Sequence, residues 1–266
     1  MPVSKGQRRR AVNDLVRVVT ESHVWRELAW SNIRSSYRLS SLGTMWITTT
    51  TAFFVIAIGL MYGQFFGQDM HTYLPYFATS FTIWGFIAGS ITAGSQSLIN
   101  NHNYIKGSQM PIVFHTVRVV QVQFLTFCHN AVVLIGLWLY FRWPVGLSCV
   151  LSIVGIMLTF IFIAAICLFL AIVCVRFRDV PPLIQALIQF VFFATPIIWH
   201  PEQLKFGKAV LWANPVAYFM MVARDPFLGR PLSWKVWVVA FALTLMAVSL
   251  ASAAYVRYRS RIAYWV

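Results

Sequence analysis

Six long apolar stretches of the chain contain no Asp, Glu, Lys or Arg, and polar segments separate them. They cover residues 42–61, 73–99, 119–141, 147–175, 183–199 and 236–256. A helix needs about 17–25 apolar residues to cross the hydrocarbon core, and one charge at its centre costs about 2.5–3.5 kcal/mol. The pattern therefore predicts an all-α integral membrane protein, with six transmembrane helices in a single domain over residues 39–260.

The polar N-terminal region divides into two parts. Residues 1–21 are basic, and we expect a flexible cytoplasmic N-terminus there. In residues 22–38, Arg34 and Arg38 share one polar arc of a helical wheel, while apolar side chains occupy most of the remainder. This arrangement is typical of an amphipathic helix that lies in the headgroup layer.

Two further segments between the spans are predicted to be helical. Residues 100–111 are polar and end in a proline, which predicts a short cytoplasmic helix. Residues 201–234 contain two apolar segments, each too short to cross a membrane, broken by Asn214 and Pro215. They predict a re-entrant helical hairpin on the outer side, before the last span.

The distribution of basic residues predicts the orientation. The net charge is +14, and 59% of the residues are hydrophobic. With the N-terminus in the cytoplasm, fifteen of the 21 Lys and Arg residues lie on the inner side and six on the outer side. The positive-inside rule then places both termini, including the tail 261–266, in the cytoplasm. We expect the basic residues to contact membrane lipids and not nucleic acid.

The chain lacks the usual motifs of catalysis. It has no Gly-x-x-x-x-Gly-Lys-Ser/Thr loop for nucleotide phosphates and no His-Glu-x-x-His zinc motif. Its seven carboxylates are scattered, and its four cysteines lie in predicted spans without the spacing of metal ligands. We therefore expect no catalytic residues, no metal and no cofactor in this chain. A membrane enzyme acting on lipid-linked sugars is the less favoured alternative.

Aromatic residues make up 16% of the chain and are dense in the first two predicted spans. Tryptophans near span ends are typical of the interfacial belt, but this density exceeds what anchoring requires. Aromatic rings can stack on the apolar faces of sugars. The candidate sugar-contacting side chains are Phe53, Tyr62, Tyr76, Phe77, Phe81 and Trp84.

Several short strings together resemble one family. The string YRLSSLGTMW at 37–46 is similar to the start of the first span in bacterial ABC-transporter permeases that export lipid-linked polysaccharides. The strings RDVP at 178–181, TPIIW at 195–199, NP at 214–215 and RDPFLG at 224–229 resemble its loop and outer-gate motifs. The resemblance covers about residues 20–260 and is closest to the O-antigen branch.

This resemblance implies a bacterial inner-membrane assembly of two permease chains with two ATPase subunits, which would bind ATP and Mg. The cargo would be a polysaccharide on undecaprenyl pyrophosphate. The 100–111 helix would dock on the ATPase, and the 22–38 helix would gate the cytoplasmic entrance. The candidate coupling residues are Asn101, His102, Tyr104, Ile105 and Lys106. The candidate outer-gate residues are Pro196, Trp199, Asn214, Pro215 and Arg224.

Arg34 and Arg38 are the candidates for contact with the pyrophosphate. Guanidinium groups bind phosphate oxygens in bidentate fashion, and these two residues are four apart on one helix face. Anchoring to anionic lipid is an open alternative for either residue. Another cargo of the same architecture, such as capsule, teichoic acid, a drug or a lipid, is also open.

Overall fold

The computed structural model describes residues 5–38, 40–65, 67–107, 110–143, 146–201 and 207–266, and within these ranges it contains helices and turns but no strand. In chain order the helices are α1 (Lys5–Thr20), α2 (Ser22–Ser36), α3 (Met45–Phe65), α4 (Met70–Ser95), α5 (His102–Gly107), α6 (Ile112–Phe141), α7 (Cys149–Arg176), α8 (Val180–Ala194), α9 (Gly207–Ala213), α10 (Pro215–Arg224) and α11 (Trp234–Trp265).

Five of these helices, α3, α4, α6, α7 and α11, are long and apolar enough to cross a membrane. The sixth span, predicted at 183–199, is not confirmed. Its helix α8 has 15 residues, which corresponds to about 22 Å, less than the roughly 30 Å of hydrocarbon. It ends because Thr195, which precedes a proline, has an extended backbone.

The expectation of a flexible N-terminus is wrong for α1. Asp14 of this helix is 5% exposed and accepts a hydrogen bond from the Tyr255 hydroxyl at 2.7 Å and one from Arg259 Nε at 2.5 Å. Ala11, one turn earlier, is fully buried. The basic composition favours a flexible segment, but these contacts with α11 hold residues 5–20 as a helix.

Helices α4 and α7 form the centre of the bundle, and small residues let their neighbours approach closely. A Cβ at Gly94 would lie 2.5 Å from Cys167 Sγ, and that thiol donates to the Ser90 carbonyl at 3.2 Å. A Cβ at Gly155 would overlap the Val222 carbonyl of α10. Close packing of this kind, rather than hydrophobic attraction, holds helices together in lipid.

The peripheral helices leave apolar side chains exposed. Phe53 and Phe65 of α3 are 75% and 80% exposed, and Phe190 of α8 is 71% exposed. Such faces suit contact with lipid or with another protein chain. They lie outside the packed centre, in which sixteen of the 26 residues of α4 are buried.

Candidate functional site

The predicted interface helix is present as α2, which packs against α6 through the buried residues Ala29 and Ile33. Arg34 and Arg38 are exposed. Arg34 contributes to a surface depression of about 370 Å³, whose lining includes Glu27 but not Arg38. The structure therefore does not bring the two arginines into one pocket, although both are accessible to an anionic ligand.

A charge pair marks the junction between α1 and α2. Arg17 donates two hydrogen bonds to the Glu21 carboxylate, at 2.7 and 3.0 Å. These bonds lower the pKa of Glu21 below its ordinary value. Trp25 Nε1 donates to the Val18 carbonyl at 2.8 Å, which further fixes the angle between the two helices.

The short helix predicted within residues 100–111 is also present, as α5. Tyr104 is 66% exposed and His102 is exposed, whereas Ile105 packs against the core. Lys106 belongs to the helix, but its side chain lies outside the described residues. The helix therefore exposes His102 and Tyr104 while Ile105 anchors it to the bundle.

Asn101 connects α5 to the spans. It is 8% exposed, and its Nδ2 donates to the Ser97 carbonyl at 2.7 Å. Its Oδ1 accepts a hydrogen bond from Arg118 Nη2 of α6, also at 2.7 Å. Asn101 therefore has a structural role, because it ties the start of α5 to the turn after α4 and to α6.

Only part of the proposed aromatic set is accessible. Phe53 is exposed, and Tyr62 and Phe81 are half-buried. Tyr76 and Phe77 are fully buried and Trp84 is 8% exposed, so the structure does not offer these three side chains to a sugar. They lie on α4, and the helices around it cover them because it is the central helix.

Tyr76 instead belongs to a cluster that contains most of the predicted outer-gate residues. Arg224, 3% exposed, donates through Nη1 to the Pro196 carbonyl at 2.8 Å and to Ser80 Oγ at 3.1 Å. Its Nε donates to Asp225 Oδ1 at 2.8 Å. Its guanidinium lies 4.2 Å from the centre of the Tyr76 ring.

The Tyr76 hydroxyl completes this cluster by donating to the carbonyls of Pro196 and Trp199, at 2.8 and 3.2 Å. The outer cluster, defined as Tyr76, Ser80, Pro196, Trp199, Arg224 and Asp225, joins α4 to α10 and to the chain after α8. The buried Arg224 is satisfied within the chain, which makes it a structural cation and not a free ligand site.

Asn214 has a capping role beside the outer cluster. Its side chain accepts from the Val216 amide at 3.0 Å, and Pro215 occupies the first turn of α10. Its Nδ2 donates to Thr195 Oγ1 at 2.8 Å. The Asn-Pro pair thus begins α10 and ties it to the end of α8. The rest of the predicted hairpin, residues 202–206, lies outside the described residues.

Sequence reasoning missed two polar contacts. Arg118 is the only Lys, Arg, Asp or Glu between Lys106 and Arg142, and it immediately precedes the apolar stretch 119–141. In the structure it lies inside α6. The Asp14 contacts with α11 span more than 240 residues. A lone charge within a helix-length segment could have indicated Arg118, but nothing in the sequence indicated the partners of Asp14.

Comparison with known proteins gives one consistent result. The family model described as "ABC-2 type transporter" matches residues 23–228. The O-antigen export system permease protein RfbA of Klebsiella pneumoniae is 24% identical over 227 residues, which cover 82% of this chain and 87% of the relative. Its Myxococcus xanthus namesake is 22% identical over 214 residues, or 77% and 82% of the two chains. Because the model matches most of the chain, the protein belongs to the ABC-2 type transporter family.

Proposed function

We propose that the chain is the permease subunit of an ABC exporter that moves an undecaprenyl-pyrophosphate-linked, O-antigen-like polysaccharide outward across the bacterial inner membrane. Membership of the ABC-2 family and the names of the relatives support this assignment. A separate ATPase subunit would bind ATP and Mg, since the sequence carries no nucleotide-phosphate loop. Two copies of each subunit would form the transporter.

The observation that carries this proposal is the exposed face of α8. Gln185 and Gln189 are both exposed, although the helix is otherwise apolar and Phe193 beside them is 69% exposed. An amide facing lipid without a partner is costly. A second copy of the chain, or a water-filled path between the two copies, would satisfy both amides. Exposed amides on an otherwise apolar helix are therefore expected where one chain forms half of a channel and a second copy forms the other half.

In this arrangement both termini are cytoplasmic, and α8 with the chain that follows it to Trp199 forms the sixth crossing. The outer cluster holds that crossing against α4, and α9 and α10 form the re-entrant outer gate. On the inner side, α5 docks on the ATPase. This orientation keeps most of the basic residues in the cytoplasm.

Cargo contacts are assigned to accessible side chains. Arg34 of α2 and Arg38, two residues after its end, would hold the pyrophosphate at the membrane surface. Phe53, Tyr62 and Phe81 would offer weak, interchangeable stacking contacts to the sugars. Such contacts suit a moving polymer better than one tight site does.

Transport in sealed vesicles tests the proposal. Inside-out vesicles containing the chain and its ATPase are supplied with undecaprenyl-pyrophosphate-linked O-antigen, and polysaccharide protected inside the vesicles is measured. We expect accumulation that requires ATP and both subunits. Accumulation with the chain alone would overturn the proposal. ATP-dependent accumulation of a capsule or teichoic-acid precursor in place of O-antigen would support the exporter architecture but refute the assignment of the cargo.

A further inference from the structure

A polar cavity of about 740 Å³ lies between α2, α4 and α6, toward the cytoplasmic ends of the spans. Its volume falls in the range of about 300–1,000 Å³ that is typical of small-molecule sites. Five amide side chains and one guanidinium contribute to its lining, namely Asn32, Gln96, Asn100, Asn101, Gln123 and Arg118. No carboxylate is among its lining residues in the part of the chain that the structure describes.

Arg118 is incompletely satisfied in this cavity. Its Nη2 donates to Asn101 Oδ1, but its buried Nε has no hydrogen-bond partner among the described residues. The three ion pairs found in the described ranges do not include it. The Arg118 residue is half-buried, and leaving its buried Nε without an acceptor is costly. An anion that enters the cavity would supply the missing acceptor and a counter-ion.

The composition of the lining indicates what kind of anion fits. A guanidinium prefers phosphate or carboxylate oxygens, to which it donates in a fixed planar geometry. Amide side chains both donate and accept, so the surrounding Asn and Gln residues suit hydroxyl groups. A phosphate with a hydroxyl-rich group attached therefore matches the cavity better than a bare anion does.

The cavity borders both moving elements of the proposed mechanism. Asn32 contributes one wall from α2, so a displacement of this helix would change access. Asn101, the acceptor of the Arg118 bond, immediately precedes α5. A ligand that draws Arg118 away from Asn101 would loosen the attachment of α5 to the spans.

We infer that this cavity is a binding site for the sugar-phosphate head of a lipid, with Arg118 as its anion ligand, and that occupancy is communicated to α5 through Asn101. The inference rests on the proposed function for its cargo, the undecaprenyl-linked pyrophosphate. A phospholipid such as phosphatidylglycerol offers the same phosphate and hydroxyl chemistry. The site is separate from the exposed Arg34 of α2 and from the exposed Arg38, which follows that helix.

Lipid binding to the intact complex tests the inference. The permease with its ATPase is placed in phosphatidylcholine nanodiscs, and binding of undecaprenyl pyrophosphate or of phosphatidylglycerol is measured by native mass spectrometry. Arg118→Gln should weaken binding of undecaprenyl pyrophosphate about tenfold, which is the effect of one lost charge-assisted hydrogen bond. Arg10→Gln, at an exposed arginine of α1, is the matched control and should bind like the wild type.

A second variant distinguishes loss of the binding site from misfolding of Arg118→Gln. Ala93 lines the cavity, and Ala93→Leu would fill part of it while leaving the charge unchanged. We expect a similar loss of binding. Wild-type affinity in both variants would overturn the site and leave the proposed function standing. A loss seen only for phosphatidylglycerol would overturn the cargo assignment. No binding of undecaprenyl pyrophosphate by the wild type would overturn the site, whereas the proposed function is decided separately by transport in sealed vesicles.

Discussion

Replacement of Arg224 should destabilise the protein far more than replacement of its neighbour Arg230. Both guanidinium groups lie over the Tyr76 ring, at 4.2 and 4.9 Å from its centre. Arg224 is 3% exposed and hydrogen-bonds Pro196, Ser80 and Asp225, whereas Arg230 is exposed. Replacing each arginine in turn therefore compares a buried, hydrogen-bonded cation with a surface cation at the same aromatic ring.

The structure sets the magnitudes. Arg224→Ala leaves the Asp225 carboxylate, 13% exposed, without its counter-ion and the Pro196 carbonyl without its charged donor. Breaking a buried ion pair from one side costs about 3–5 kcal/mol. Arg230→Ala removes an exposed cation–π contact worth about 0.5–1 kcal/mol. Tyr76→Phe, which deletes only the hydroxyl, should cost about 1–3 kcal/mol.

Unfolding of the purified chain in mixed micelles measures these differences. The denaturing detergent SDS is titrated into the micelles, and the fluorescence of the eleven tryptophans reports the loss of tertiary structure. We expect the unfolding free energy to fall most for Arg224→Ala, less for Tyr76→Phe and least for Arg230→Ala. Equal, small losses for both arginine variants would refute the argument that the outer cluster holds α10 and the chain after α8 against α4.

Three further predictions concern the inner side. Ile105→Pro should break α5 and weaken co-purification with the ATPase while the spans stay folded; full export with retained co-purification would contradict the docking role. Joint replacement of Arg34 and Arg38 by Ala should reduce the stimulation of ATPase activity by lipid-linked substrate, and an unchanged response would assign both to lipid anchoring. Asp14→Asn should weaken the bonds to Arg259 and increase amide exchange in α1, and unchanged exchange would show that other contacts fix this helix.

The positions of most helices could be predicted from the sequence because they depend on local hydrophobicity. Uncharged apolar stretches anticipated the five spanning helices, and a polar, proline-ended segment anticipated α5. The sixth apolar stretch did not predict a full spanning helix correctly, because α8 ends at the Thr195-Pro196 step and the chain continues without regular helix. Apolar length alone does not distinguish a spanning helix from a shorter one with an extended continuation.

The sequence could not predict which aromatic residues are accessible. Phe53 and Phe77 both lie in apolar spans with similar neighbours, yet one is 75% exposed and the other is fully buried. The difference arises because α3 is peripheral and α4 is central. This placement depends on which helices pack together, and hydropathy within a single span does not contain that information.

By itself the sequence determined that this is a multi-span membrane protein, and its motifs indicated the transporter family, because both follow from residues close together in the chain. Only the tertiary structure decided how distant polar groups are paired. Arg224 meets Ser80 across 144 residues, Asp14 meets Tyr255 across 241, and Arg118 faces a cavity built from three helices. Arg224 and Asp14 are buried where distant segments supply their partners, and folding alone brings those segments together.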